Sequence, residues 1–308
     1  MKNTPWAAPF PKSALSAAVC LGLIVATSNA QAMVLTAEAT VTLPLSTSVT
    51  ETEIDPSYVS VYVGDYGTSG DAYASAWGDD GGDMFARSSG GGSFDADSSI
   101  RQSVEFTNTT GIAQNYFFDF TINNGSLSAY DYDVLVSGEY VQAANDVAIM
   151  LNGDYIFTSQ ATLTSTDSGS TLTTSGVELG TYTADSDYYS WGTYTGVLDL
   201  GIFNPGESFL LEYDILTSAD SNVSSSFGCG YDDGYGSWGN DGWMEEEFGF
   251  CYSNYGASRF GDPNGINGMP ISPLTVTSVS VPEPGMLFLL AGGVAGLAFA
   301  GRKRARKS

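Results

Sequence analysis

Apolar and polar positions alternate along most of this chain, with β-branched and aromatic residues on one phase and Ser, Thr, Asp and Glu on the other. A period of two places successive side chains on opposite faces of a strand. The pattern predicts strands over 35–43, 58–63, 100–106, 116–122, 132–136, 146–151, 155–160, 171–174, 177–183, 195–200, 208–216 and 274–279. Asn152-Gly153 between two of these runs is a two-residue hairpin signal, and Asn123-Asn124-Gly125 and Asn204-Pro205-Gly206 mark further turns. No stretch between residues 33 and 280 has helical periodicity. Many short strands with frequent turn signals predict an all-β domain, a β-sandwich or jelly-roll-like fold.

Two stretches break the alternation. Residues 64–92 hold nine glycines, and residues 227–261 hold nine glycines and ten aromatics. Both read as long Gly-rich loops, a length at which loops are commonly functional. The second contains Cys229 and Cys251, the two cysteines left once the N-terminal stretch is set aside. A pair of cysteines in an exported chain predicts one disulfide, contributing about 3 kcal/mol in the loop-entropy picture.

The two ends depart from the pattern in another way. Lys2 and Lys12 precede an apolar stretch over 13–26 and an Ala30-Gln31-Ala32 site, the layout of a secretory signal peptide over residues 1–32. Cys20 follows Val19 rather than a small residue, so cleavage before Met33 is preferred to lipidation at Cys20. At the other end, Met286 to Gly301 is an uncharged run of 16 residues followed by Arg302, Lys303, Arg304, Arg306 and Lys307. A helix of that length spans about 24 Å against a bilayer core of about 30 Å, so the run predicts one short transmembrane helix that is marginal as a permanent anchor. The basic tail stays on the cytoplasmic side. Pro282 and Pro284 flank Glu283 and hold the preceding chain extended, as a processing enzyme requires.

Pro282-Glu283-Pro284, the short apolar helix and the Arg-rich tail together resemble the PEP-CTERM sorting signal of Gram-negative bacteria, here over residues 281–308. The resemblance implies that an exosortase recognises the motif and cleaves near it, with Pro282, Glu283 and Pro284 as substrate. It also implies an exopolysaccharide setting, membrane attachment through the C-terminal helix before processing, and a cell-surface or extracellular destination afterwards. Phe203 to Ser208, leading into Phe209-Leu210-Leu211-Glu212-Tyr213, is similar to turn-then-strand blocks in other PEP-CTERM extracellular proteins of unassigned function. A Pro-Gly turn entering a core strand explains that block equally well.

Charge then narrows the partners. Only Arg87, Arg101 and Arg259 among the ten basic residues lie between the two signals, against 34 of the 35 acids, so residues 33–280 carry a net charge near −31. Such a field disfavours nucleic acid and anionic lipid. The chain has no His, which excludes a His-based nucleophile, and it has no P-loop, dinucleotide fingerprint or G-x-S-x-G elbow. A pair of carboxylates could still hydrolyse glycosides, but none stands out. No organic cofactor is expected.

Calcium is the candidate ion, because Asp, Asn and backbone oxygens in Gly-rich turns suit it. Its candidate ligands are Asp79, Asp80 and Asp83, with Asp232 and Asp233 as a second group; ordinary solvated turn acids are the preferred reading of both. Tyr231, Tyr235, Trp238, Trp243 and Tyr252 stand among Gly and Asp, and exposed aromatics of this kind stack on sugar rings. Tyr235, Trp238 and Trp243 are therefore the glycan-binding candidates, the competing reading being a small core beneath the disulfide. The sequence thus points to a structural or adhesive protein of an exopolysaccharide or biofilm layer. A carbohydrate-binding module is the alternative, and a carboxylate-based glycan hydrolase is less favoured.

Overall fold

The computed structural model describes residues 30–67, 69–131, 134–184, 186–224, 254–261 and 275–280. These form sixteen strands and no helix. They are β1 Ala30–Thr42, β2 Val49–Asp55, β3 Tyr58–Tyr66, β4 Gly70–Asp79, β5 Met84–Gly92, β6 Phe94–Thr107, β7 Gln114–Ile122, β8 Gly125–Tyr130, β9 Tyr140–Leu151, β10 Asp154–Thr166, β11 Gly169–Gly176, β12 Tyr188–Trp191, β13 Tyr194–Phe203, β14 Ser208–Asn222, β15 Tyr255–Phe260 and β16 Thr275–Ser280. All pairings are antiparallel.

One layer is a seven-stranded sheet in the order β11-β10-β9-β14-β6-β1-β2. The facing layer contains a six-stranded sheet, β12-β8-β15-β5-β4-β3, and a three-stranded sheet, β13-β7-β16. These two are parts of one ribbon. Ile122 pairs with Tyr194 and Gly125 pairs with Trp191, so the register continues unchanged across the break. Asn123-Asn124-Gly125 is thus a kink that carries β7 into β8, where the sequence suggested a tight turn. The Asn123 carbonyl accepts the Trp191 indole N–H at 3.1 Å. The Asn152-Gly153 hairpin forms as expected: both residues have positive φ, 54° and 86°, and they join β9 to β10.

The core follows from the alternation. On β6 and β14 every second residue is buried, including Ile100, Val104, Phe106, Phe209, Leu211, Tyr213 and Ile215. Below the three-stranded sheet, Phe209 meets Phe106, Tyr116 and Phe203 with ring centroids 5.3, 5.3 and 4.4 Å apart. Burying a large aromatic contributes about 1.5–3 kcal/mol, and several here converge. Under the six-stranded sheet the packing differs. There the inward residues of β5 are Ala86, Ser88, Gly90 and Gly92, and the Ser88, Ser98 and Thr217 hydroxyls hydrogen-bond one another across the layers at 2.8–3.3 Å.

The sequence expectation of a Gly-rich loop over 64–92 is corrected here, because most of that stretch is the β4–β5 hairpin. Its glycines serve close approach. A Cβ on Gly90 would lie 2.4 Å from the Asp71 carbonyl oxygen and 2.5 Å from the Phe94 ring, and one on Gly70 would lie 2.5 Å from the Gly91 carbonyl oxygen. The end of the expected 227–261 loop is likewise strand β15, inserted between β5 and β8. Two expected strands are not seen among the described residues. Residues 134–136 have no strand partner, and Val134 and Val136 are exposed. Residues 177–183 contribute a single bridge, Thr181 to Ser190.

Candidate binding face

The outer surface of the six-stranded sheet gathers aromatics that the sequence does not place together. On β3 the alternation turns Val59, Val61 and Val63 inward and Tyr58, Ser60, Tyr62, Gly64 and Tyr66 outward. Tyr58, Tyr62 and Tyr66 are 54, 60 and 55 % exposed, a row repeating every fourth residue, or about 13 Å along a strand. The neighbouring strand supports this row. Ser60 pairs with Trp77, Tyr62 with Ser75, Gly64 with Tyr73 and Tyr66 with Asp71. Tyr73 lies over Gly64, where an added Cβ would come within 3.1 Å of its ring, and packs edge-on against Tyr66 with centroids 5.4 Å apart. Burial, and then its hydrogen bond with Tyr66, raise the Tyr73 pKa far above the ordinary phenol value. Tyr62 is also raised, first by burial and then by Tyr66, with Arg87 acting in the opposite direction.

Further in, the same face is closed. Phe85 is buried beside Trp77, and Ser89 and Ala257 are buried too. Arg87 and Arg259, two of the three basic residues between the signals, sit directly opposite each other on β5 and β15. Asp71, raised by burial, accepts the Gly91 N–H at 2.8 Å. The accessible part is therefore the β3 row. Two half-buried rings, Tyr73 and Trp77, stand beside it on the neighbouring strand. A phenol ring presents an apolar face and a polar edge, which suits a sugar ring with its C–H face and hydroxyl rim.

The edge of β3 is guarded. Glu53 accepts the Ser60 N–H at 2.6 Å and Glu51 accepts the Tyr62 N–H at 3.3 Å, both reaching over from β2 in the opposite layer. Two backbone donors that would recruit another strand are thus occupied.

The opposite outer face, on the seven-stranded sheet, is mainly Ser, Thr and carboxylate, with Val34, Leu210 and Leu216 exposed among them. Asp95 pairs directly with Asp220, and Asp97 lies two residues further along β6. Burial first, then Asp95 and Asp220, push Asp97 up to about 6, and burial raises Asp95 and Asp220 as well. Tyr140 is raised to about 12, chiefly by its hydrogen bond to Asp220. Further along, Arg101 pairs with Asp214.

Of the residues singled out in the sequence, Asp79, Asp80 and Asp83 lie in the β4–β5 turn. The Asp79 carboxylate accepts the Asp83 N–H at 3.1 Å, and the Asp79 N–H donates to the Asp83 carbonyl at 3.0 Å. Asp79 thus closes its own turn. Among the described residues no group of three or more Cys, Asp or Glu side chains is placed to hold a metal ion. Cys229, Cys251, Tyr235, Trp238, Trp243, Asp232 and Asp233 lie outside the described residues, as do residues 1–29, the Pro282-Glu283-Pro284 triplet and the apolar run 286–301. Among the described residues no helix is long and apolar enough to cross a membrane.

Comparison with curated proteins gives no match. A protein-family profile, the PEP-CTERM protein-sorting motif, matches residues 280–305 and begins at the last residue of β16. The chain therefore carries a C-terminal exosortase recognition signal behind an all-β domain, and is an exported protein bound for the cell surface or the extracellular space after processing.

Proposed function

We propose that the β domain is a structural or adhesive component of an extracellular polysaccharide layer, and that it works by binding polysaccharide without turnover. The observation that carries the reading is the row of exposed tyrosines on β3, Tyr58, Tyr62 and Tyr66, with Tyr73 and Trp77 beside it on β4. Their spacing of about 13 Å suits an extended polymer better than a compact ligand. Tyr235, Trp238 and Trp243, in the segment that joins β14 to β15, would add to the same activity.

The test is retention of the purified protein on the extracellular polysaccharide fraction of its own cells. The expected result is retention that falls at least tenfold in Tyr62→Ala/Tyr66→Ala, with no sugar released on long incubation. Retention unchanged in that variant and in Trp238→Ala/Trp243→Ala would overturn the binding role. Release of reducing sugar would replace it with a hydrolase.

A further inference from the structure

The register of the strands gives this molecule two poles, and both signal-bearing ends leave from the same one. At the N-terminal end, β1 begins with Ala30 paired to Phe106. At the C-terminal end, β16 finishes with Ser280 paired to Gln114. Phe106 and Gln114 flank one short connection, residues 107–113. That connection is tied to the β13–β14 turn: the Asn108 N–H donates to the Glu207 carbonyl at 2.9 Å, the Gly206 N–H to the Asn108 carbonyl at 2.8 Å, and Asn108 Nδ2 to the Phe203 carbonyl at 2.8 Å. The Asn152-Gly153 turn joins them through the Asn152 N–H to Leu210 carbonyl bond at 2.8 Å.

The other pole holds the opposite strand ends. Gly92, Tyr130, Tyr140 and Asn222 lie there, with the turns at 43–48 and 167–168. It is tied by the Gly92 N–H to Asn254 carbonyl bond at 3.1 Å and the Ser224 N–H to Glu139 bond at 2.7 Å. Ser224 and Asn254 are the two ends of the segment joining β14 to β15, so that segment departs from and returns to this second pole. From Ser208 to Asn222 a single strand runs between the poles, about 45 Å.

We infer that the pole built from residues 107–113, 152–153 and 204–207 faces the bilayer in the unprocessed protein, and that the pole carrying Ser224 and Asn254 is turned away from it. Connectivity forces this once residues 286–301 enter the membrane. Only residues 281–285 separate Ser280 from the apolar run, and five residues reach at most about 20 Å. While the signal peptide is attached, three residues separate the end of its apolar stretch from Ala30, at the same pole. Neither tether can reach the far pole. The exosortase therefore meets its motif against the 107–113 and 204–207 connections, and Ser224 and Asn254 face away from the bilayer. The inference rests on the membrane reading of residues 286–301 and is independent of any ligand.

It is tested on the full chain, produced without an exosortase and reconstituted in phosphatidylcholine vesicles. Azidophenylalanine is encoded at exposed Thr109 for the first pole, or at exposed Thr47 or Ser168 for the second, and coupled to a fluorophore. Spin-labelled lipid is expected to quench the Thr109 dye at least threefold more than the Thr47 and Ser168 dyes, and deletion of 286–301 abolishes the difference. A chain that fails to float with the vesicles overturns the membrane reading, and with it the inference. A chain that floats but has equal or stronger quenching at Thr47 and Ser168 overturns the pole assignment alone.

Discussion

The two outer faces share one core and one backbone geometry, yet their chemistry differs. The seven-stranded sheet shows mainly Ser, Thr and carboxylates, with Leu210 and Leu216 exposed among them and Asp95 opposite Asp220 with Asp97 beside them. The six-stranded sheet shows tyrosines over small residues, with Arg87 and Arg259 further in. The inward phase of each strand is constrained by packing, whereas the outward phase is free to be selected for something else. Like charges directly opposite cost stability, so the acidic face reads as a solvating surface that tolerates some strain. The aromatic face has the composition of a contact surface.

The most severe test of the comparison removes what the two faces share. Phe209→Ala takes out the ring that meets Phe106, Tyr116 and Phe203, and is expected to lower stability by about 3–5 kcal/mol in urea unfolding. Polysaccharide retention and the acidic-face pH response should then disappear together. If either persists, the faces do not share one cooperative unit. Next in size is Tyr62→Ala/Tyr66→Ala, expected to lose at least tenfold in retention while stability stays within about 1 kcal/mol, since exposed positions contribute little. Substituting Thr164→Ala on the other face should change neither.

A smaller effect belongs to the acidic face alone. Asp97 has its pKa raised from 3.8 to about 6, so the folded state holds its proton more tightly than the unfolded chain. The unfavourable contribution is absent below about pH 4, grows as pH rises, and is complete above about pH 6. Acidifying from pH 7 to 5 should therefore stabilise the protein. Asp97→Asn should raise its stability at pH 7 by about 1 kcal/mol after allowing for solvent screening, and flatten the slope. A slope of the opposite sign would remove the crowding account. The smallest effect is expected at Arg101–Asp214. Arg101→Gln should cost less than about 1 kcal/mol, and less still in high salt.

How much of this was legible in the sequence depended on side-chain size. Strands whose inner phase is large and apolar, such as β6, β7 and β14, stood out by period alone. Those with small inner residues did not: β4 turns Ala72, Ala74 and Ala76 inward, and β5 turns Ala86, Ser88 and Gly90 inward. Their glycines therefore read as a loop, although Gly70 and Gly90 mark contacts between backbones. The tyrosine row was present in the sequence as Tyr58, Tyr62 and Tyr66, all on one phase of one strand. Three tyrosines spaced four apart are a weaker signal than the ten aromatics packed into residues 227–261. The kink at Asn123-Asn124 could not be separated from a reversal, since either uses the same residues and only the register of β12 and β13 decides between them.

The placement of β14 and β15 also governs when the molecule can exist at all. β14 lies between β6 and β9, and β15 between β5 and β8, so each layer is completed by a strand made late in the chain. Until residue 222 emerges, β6 and β9 each lack a neighbour, and the two halves of the large sheet have nothing to join them. Such distant pairings fold slowly and leave strand edges open to other chains in the meantime. For an exported chain, most of the polypeptide is therefore made before either layer has all its strands. Closure of both layers waits for the last two central strands.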